Sequence, residues 1–477
     1  MMRKKKFLKN ISIVAVSNGL MLLASILIGI ILPIIFSYDD YGYYRLFALY
    51  VTYFGLFHFG FIDGIYLHFG GVDYAHIESR SQRFRALTKF LLLLEFAVAV
   101  LAIAFALFFL ESDRRIVFIL LGVNVIAINM MTYYQFISQV TSRFKEYSIR
   151  NIIYAILISI SVLIIYLFKL TDYKVILLAT ILINYTLMFL YMHTYRNISF
   201  GKSDSISDSK NEIWYYFKLG FPLLIANLIS VFMLNMSKQV VDHYFEINVF
   251  AIFSFAYSLM SFANIFVAAI STVVYPMLKQ VEEDKLKGYY PKAVSLILVV
   301  VFCAISLYYP LYLLIQWILS KYNSSLPLLA IIFPGLAISS VIQIVKLNYF
   351  KALKKIKEYL VTGVVSLVLA FGLNLGAYYI FGSLSSIAYA SVISLFLWYL
   401  FTDFFFIKKY KIKPYKDILY ILIATTLFYL SNMIDNIYIG FSVYLVSIIS
   451  ISFLLFWNTL IPIIKNLFKK NKKGSIS

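Results

Sequence analysis

Few ionisable side chains in this chain stand away from short basic clusters, and those few lie in or beside long apolar runs. Glu95 is the sharpest case, about nine residues into its run and so roughly 14 Å from the nearer end at 1.5 Å per residue. An acid at that depth is too far in to reach water easily, and it marks an ion or substrate path by default. Asp63, in Phe61-Ile62-Asp63-Gly64, lies closer to an end. Lys238 and Asp242 are four apart, a spacing that lets them pair on one helix face. Arg45 opens one run, and Lys346 and Asp403 stand near the ends of two others. Cations in a low-dielectric cavity attract phosphates strongly, so Arg45, Lys238 and Lys346 are candidate substrate ligands. The carboxylates Asp63 and Glu95 suit a coupling H⁺ or Na⁺. Plainer roles compete: Lys346 and Asp403 could snorkel to the interface, and Arg45 could pair with Asp39 or Asp40.

Other chemistries find no residues here. His58 and His68 flank Asp63 at spacings of five, which turn a continuous helix by about 140° each, so the three cannot share a face as a metal site. Cys303 is the single cysteine, which excludes a disulfide framework and a cysteine-rich metal site. No phosphate-binding loop, serine elbow or zinc-protease motif is present. No catalytic residue, metal or cofactor is therefore expected, apart from a coupling H⁺ or Na⁺, and the chain does not read as an enzyme. The net charge of +20 is spread in clusters between apolar runs, the pattern of cytoplasmic loops and not of a nucleic-acid surface.

The elements that carry these residues are membrane helices. The chain has 477 residues, 62% hydrophobic and 13% charged, with a mean hydropathy of +0.86. Soluble proteins carry about 25% charged residues, so this surface could not be covered for water. Spans of about 20 apolar residues fall at 11–36, 46–69, 86–110, 116–141, 149–168, 174–194, 215–237, 249–276, 293–315, 327–349, 359–381, 385–407, 418–434 and 438–464. The first is too long for a signal peptide and is read as retained. With the N-terminus inside, every Lys and Arg falls in an inner segment except Arg45, Arg114, Arg115, Lys169, Lys174, Lys238 and Lys321. That bias fixes an even span count with both termini cytoplasmic.

Several spans gather their polar residues on one face at 100° per residue. Asn18, Ser25 and Gly29 do so in the first, and Asn124, Thr132, Gln135 and Gln139 in the fourth. Asn227, Ser230, Lys238 and Asp242 do so in the seventh, Ser254, Ser258, Ser261 and Thr272 in the eighth, and Ser339, Gln343 and Lys346 in the tenth. Helix–helix hydrogen bonding explains any one stripe, but stripes on both halves point to a shared polar lumen. Arg45, Glu95, Gln135, Lys238, Asp242 and Lys346 are its candidate substrate-binding residues. Pro33, Pro222, Pro310 and Pro334 mark bends. The stretch from Asn197 to Glu212, rich in Ser, Asp and Gly, reads as a flexible linker. The expected organisation is all-α and polytopic. A six-helix bundle over 1–196 and a linker over 197–213 precede a second six-helix bundle over 214–407. Two further helices with a basic tail fill 408–477.

Three segments carry a resemblance. They are Asp39-Asp40-Tyr41-Gly42-Tyr43-Tyr44-Arg45-Leu46-Phe47, then Gly220-Phe221-Pro222-Leu223-Leu224 with Lys238-Gln239-Val240-Val241-Asp242 and Phe250-Ala251-Ile252-Phe253-Ser254-Phe255-Ala256-Tyr257, and finally Val274-Tyr275-Pro276-Met277-Leu278. With helix count, loop lengths and orientation, the chain resembles the polysaccharide flippases (Wzx-type) of the multidrug/oligosaccharidyl-lipid/polysaccharide exporter superfamily. Tyr41-Gly42-Tyr43-Tyr44 and Phe250-Ala251-Ile252-Phe253 occupy matching places in the two halves, as an internal repeat would. The resemblance implies two pseudo-symmetric bundles plus two C-terminal helices in a bacterial cytoplasmic membrane. It implies a polyprenyl-diphosphate-linked oligosaccharide cargo for O-antigen, capsule or other surface polysaccharide, moved by alternating access. The expected partners are that cargo, membrane lipids, and a polysaccharide polymerase with its chain-length machinery. Rival readings are a multidrug or small-molecule exporter of the same superfamily and a membrane-embedded polysaccharide polymerase. The polymerase would be an enzyme, and the outer loops are short for one.

Overall fold

A computed structural model describes the backbone of residues 2–279 and 281–474. Side-chain surroundings are described from residue 13 to residue 462, apart from 261, 263–265, 268, 269, 272, 273, 275, 276 and 280. Ser261 and Thr272 of the eighth-span stripe, Tyr275 and Pro276 of the third resemblance segment, and the Lys465–Lys473 tail therefore lie outside the side chains described. Among the described residues every regular element is helical, and the protein is an all-α, multi-pass membrane protein.

Each of the fourteen apolar segments falls on a helix or a broken helix, because hydrocarbon leaves the backbone no partner but itself. Among the described residues ten helices are long and apolar enough to cross a membrane, and a pair bent by 49° makes an eleventh if it forms one span. The helices group into two compact units. One comprises residues 1–235 and 242–254, and the other residues 236–241 and 255–477. The division thus passes through the seventh span and not through the 197–213 stretch.

The first unit begins with α1 (Met2–Ile35), α2 (Tyr38–Phe54) and α3 (Phe61–His68). A short α4 (Tyr74–Ser79) leads to the long α5 (Ser81–Phe109), α6 (Ser112–Val140), α7 (Phe144–Leu167) and α8 (Tyr173–Thr194). One turn, α9 (Arg196–Ser199), precedes α10 (Lys210–Tyr244) and the start of α11 (Ile247–Lys279). Ser37 caps α2, accepting from Asp40 N, as a serine at that position should. The second span is not one helix. Phe59 (φ 52°) and Gly60 (φ 89°) adopt left-handed backbone between α2 and α3, and no proline causes it. The stretch after α8 is not loose either. Arg85 donates to the carbonyls of Asn197 and Lys202 at 2.8 Å each, Lys89 donates to Ser203 Oγ at 2.7 Å, and Arg83 pairs with Glu212 at 2.6 Å. Its polar composition suggested flexibility; the basic start of α5 binds that composition in place.

Two glycines allow α3 and α10 to touch backbone to backbone. A Cβ on Gly64 would stand 2.0 Å from the Tyr216 carbonyl oxygen, and one on Gly220 would stand 1.9 Å from that of Gly60. Small residues at such crossings supply the close packing that lipid-embedded helices need. Behind the crossing, Phe61, Phe69, Phe84, Tyr133, Tyr195 and Tyr216 form a buried aromatic core. Outside the spans, the Arg143 guanidinium stacks 4.6 Å from the Tyr74 ring, and burial pushes the Tyr74 phenol up to about 12.

The second unit holds the rest of α11 and then α12 (Glu283–Ala304), α13 (Tyr308–Ile318), α14 (Leu326–Ile332), α15 (Gly335–Val341) and α16 (Leu347–Ala352). It closes with α17 (Ile356–Phe381), α18 (Leu384–Tyr410), α19 (Tyr415–Asn432) and α20 (Ile437–Gly474). The tenth span is the bent one: it breaks at Pro334 and carries a π-helical turn at Ile342–Lys346. Pro334 removes a backbone donor there, as its position in the sequence suggested. Pro33 and Pro222, by contrast, lie inside α1 and α10 without ending them.

Replacing Gly64 or Gly220 with Ala should destabilise the protein by about 1–3 kcal/mol, the usual range for overpacking a tight contact. Thermal unfolding of the purified variants in detergent checks this, and unchanged midpoints would contradict the close crossing of α3 and α10.

Candidate functional site

Glu95 is fully buried inside the first unit, on α5. Its Oε2 accepts from Asn129 Nδ2 of α6 at 2.7 Å, and the same amide donates to the carbonyl of Phe54 at 3.1 Å. Phe54 is the last residue of α2, and its carbonyl also accepts from Phe57 N at 3.2 Å in the turn that follows. Asn129 therefore ties the end of α2 to the acid, one hydrogen on each. Glu95 Oε1 and Asn129 Oδ1 are both buried and both lack a hydrogen-bond partner. These are two acceptors, on the same two residues, with no donor between them.

The break also places His58 and Asp63. His58 Nδ1 accepts from Gly60 N at 3.2 Å and lies 3.8 Å from Asp63 Oδ2, with both residues buried. The helical-wheel argument that kept these two apart assumed one unbroken helix and is corrected here: the left-handed residues at 59 and 60 fold His58 back toward Asp63. His68 remains apart, against Tyr215 at 3.4 Å. No group of three potential metal ligands occurs among the described residues.

At the other end of the first unit, Asp242 accepts from Arg114 at 2.5 Å and from the Tyr50 hydroxyl at 3.0 Å. Arg114 also donates to the Asp242 carbonyl at 2.8 Å. The sequence suggested Lys238 as a partner for Asp242. Lys238 stands 5.3 Å from the ring of Tyr257, whose hydroxyl joins Ser237 and Ser391 at 2.9 Å each. Arg45 is half-buried beside Tyr44 at 6.0 Å and makes no ion pair among the described residues. Its Nε is buried without a hydrogen-bond partner. Asp40 instead meets Tyr173 N and Ser37. Gln135 is half-buried on α6.

In the second unit, Lys346 is fully buried at the end of the π-helical turn. It pairs with Asp403 of α18 at 3.1 Å and donates to the Tyr399 carbonyl at 2.6 Å. Tyr290 of α12 donates to the same Asp403 oxygen at 2.7 Å. Asp417 of α19 accepts from Ser295 at 3.0 Å and feels the charges of both Lys346 and Asp403. Lys346 and Asp403 do not reach outward to an interface; they satisfy each other inside four helices. The π-turn adds a residue to the helix and so turns every later side chain to a new direction, which sequence periodicity cannot show. Asn129, Tyr50, Arg114, Tyr290 and Asp417 were also missed as partners. Asn129 falls between the residues of its span's polar stripe, and the others pair across distant parts of the chain.

No family model matches the chain, and no curated protein matches it in sequence. Solved structures do match. The lipid II flippase MurJ in an inward closed conformation superposes with a TM-score of 0.68 at 16% identity, covering 96% of this chain and 99% of that one. An inward-facing multidrug resistance MATE family transporter of the MOP superfamily gives 0.64 at 13% identity, covering 83% and 94%. The chain shares the fold of these solved proteins. A MATE transporter in its straight conformation gives 0.56 at 14% identity, covering 86% of this chain. Within that fold, the buried Glu95–Asn129 pair and the Lys346–Asp403 pair are features of this chain's own residues.

Breaking the ion pair with Lys346→Met should destabilise the protein by about 3–5 kcal/mol, because Asp403 is left as an unpaired buried charge. Lys346→Met combined with Asp403→Leu should recover much of that loss. Thermal unfolding of the single and double variants checks the coupling, and equal effects would contradict it.

Proposed function

We propose that this protein is a flippase that carries polyprenyl-diphosphate-linked oligosaccharide repeat units across the bacterial cytoplasmic membrane for surface polysaccharide synthesis. The observation that carries this reading is the end-to-end match with a structure named as a lipid II flippase, at 96% of this chain against 83% for the MATE transporter. That difference is about the combined length of α19 and α20, so the likeness to the flippase extends over the whole architecture. A small-molecule exporter is the second reading, supported by the MATE likeness itself. In the flippase reading both termini are cytoplasmic, which the Lys and Arg distribution favours. The working partners are the lipid-linked cargo, membrane lipids, and the polymerase and chain-length machinery of the glycan, with O-antigen or capsule as its destination.

The mechanism follows from polarity. A sugar crossing hydrocarbon bare would strand hydroxyls at several kcal/mol each, so it needs a wet protein path while the prenyl tail stays in lipid. A diphosphate needs cations. Arg45 and Lys238 are the candidates for that role. Lys346, whose charge Asp403 already holds, is less available. Gln135 and Asp242 complete the candidate set, and alternating access moves the bound head across.

Coupling to H⁺ or Na⁺ is assigned to Glu95, with Asp63 beside the same helix break. Glu95 Oε1 and Asn129 Oδ1 both lack a donor. One proton on Glu95 would serve both as an acid–amide pair. Na⁺ is the alternative; a proton answers both acceptors at once and is the coupling ion of this reading. Its loss would leave an ionised acid with one hydrogen-bond donor in a dry interior, a costly state. Asn129 transmits that change to the α2–α3 break.

Deleting the gene should make the host accumulate lipid-linked repeat units facing the cytoplasm. A polymerase mutant would instead display single units outside, and a drug-exporter mutant would show neither. Glu95→Gln, which keeps the shape and removes the titratable proton, should unfold at the wild-type temperature yet depress glycan export. Export at the wild-type level from that variant would remove Glu95 from the mechanism.

A further inference from the structure

Four helices of the second unit surround a cavity of about 660 Å³ that serves none of the roles above. One face of α13 along its length, α14, the start of α18 and the end of α19 form its walls. It lies away from the basic turns, since Tyr389 is at the start of α18 and Lys408 and Lys409 are at its far end. No Asp, Glu, Lys, Arg or His lines it. Its polar surface comes mainly from tyrosines and carboxamides, with Tyr308, Tyr312, Gln316, Tyr389, Tyr429 and Asn432 the residues that matter here.

Those side chains are largely fixed in place. Tyr308 is buried edge-on against Phe428 at 5.2 Å and Phe333 at 5.6 Å. Tyr429 donates to the Ile331 carbonyl at 2.9 Å, and Gln316 donates to the Tyr312 hydroxyl at 2.9 Å. Tyr389 is 46% exposed, and its ring stands at 80° to that of Tyr429 with centroids 6.1 Å apart. The buried Asn432 amide interacts with the Tyr308 hydroxyl, so these two polar groups share one wall of the cavity.

We propose that this cavity is a binding site for neutral saccharide. A phosphate, carboxylate or amine would lose water here and find no opposite charge. A purely apolar ligand would strand the amides. A sugar ring has an apolar C–H face to lay on an exposed aromatic ring and a polar edge for carboxamides and hydroxyls. The cavity's size lies within the range of small-molecule sites. Its role rests on the flippase reading: it would hold the sugar head after crossing, on the side away from the basic loops, before release. Binding itself does not depend on that reading.

The test uses the full-length protein in nanodiscs, with triacetylchitotriose and maltotriose as probes, read by saturation-transfer NMR. At least one trisaccharide should receive saturation. Tyr389→Ala and Asn432→Leu should weaken its binding by about fivefold to tenfold, the effect of losing one modest contact. Tyr389→Phe, which keeps the ring, should bind as the wild type does, and all three variants should keep the wild-type unfolding temperature. Saturation of neither trisaccharide would overturn the proposal, as would saturation undiminished in both cavity variants or transfer only to lipid acyl chains. Binding here and lipid-linked accumulation in a deletion strain are read separately, so either reading can fail while the other stands.

Discussion

Hydrocarbon offers no hydrogen bonds, and this single constraint decides where the protein may depart from straight helices. At the α2–α3 break and at the π-helical turn, side chains complete the departure. The Phe54 carbonyl, at the end of α2, accepts from both Phe57 N and Asn129. Gly60 N, on the far side of the same break, is taken by His58. At the π-helical turn, the Gln343 carbonyl accepts from Ser271 at 3.0 Å and the Ile344 carbonyl accepts from Asn348 at 2.9 Å. Each irregular segment carries a buried ionisable group, His58 and Asp63 at the break and Lys346 in the π-helical turn. Irregular backbone and buried charge therefore occur together in both units.

The same constraint sorts the charges. Arg114 with Asp242, and Lys346 with Asp403, are paired and further hydrogen-bonded. Such pairs add little net stability over an apolar core but are expensive to break singly, so they fix which helices pack together. Glu95 differs because it has an amide for company and no cation among its bonded partners. Asn129 links it to the end of α2.

Much of this architecture was legible in composition and periodicity. Fourteen apolar segments, the basic clusters between them and the bend at Pro334 follow from residue type and spacing. The break between α2 and α3 was not, because left-handed backbone at Phe59 and Gly60 gives no hydropathy signal. That omission also hid the approach of His58 to Asp63. The closely spaced Gly55, Gly60 and Gly64 were the available clue. Glu95 could be singled out from depth alone, whereas Asn129 could not, since its role depends on which face of α6 meets α5. The 197–213 stretch shows the converse: its composition suggests a loose linker, but composition does not reveal that Arg83, Arg85 and Lys89 lie beside it.

The central claim is that a sugar head on a diphosphate lipid, and not a soluble small molecule, is what this fold moves here. The most direct measurement reconstitutes the purified protein in liposomes with a fluorescent polyprenyl-diphosphate trisaccharide and tracks the fraction of its sugar exposed to an external lectin with time. The account predicts exchange between leaflets that depends on the protein and quickens under an imposed pH gradient. Exchange no faster than in protein-free liposomes, alongside gradient-driven movement of a cationic dye by the same preparation, would contradict it.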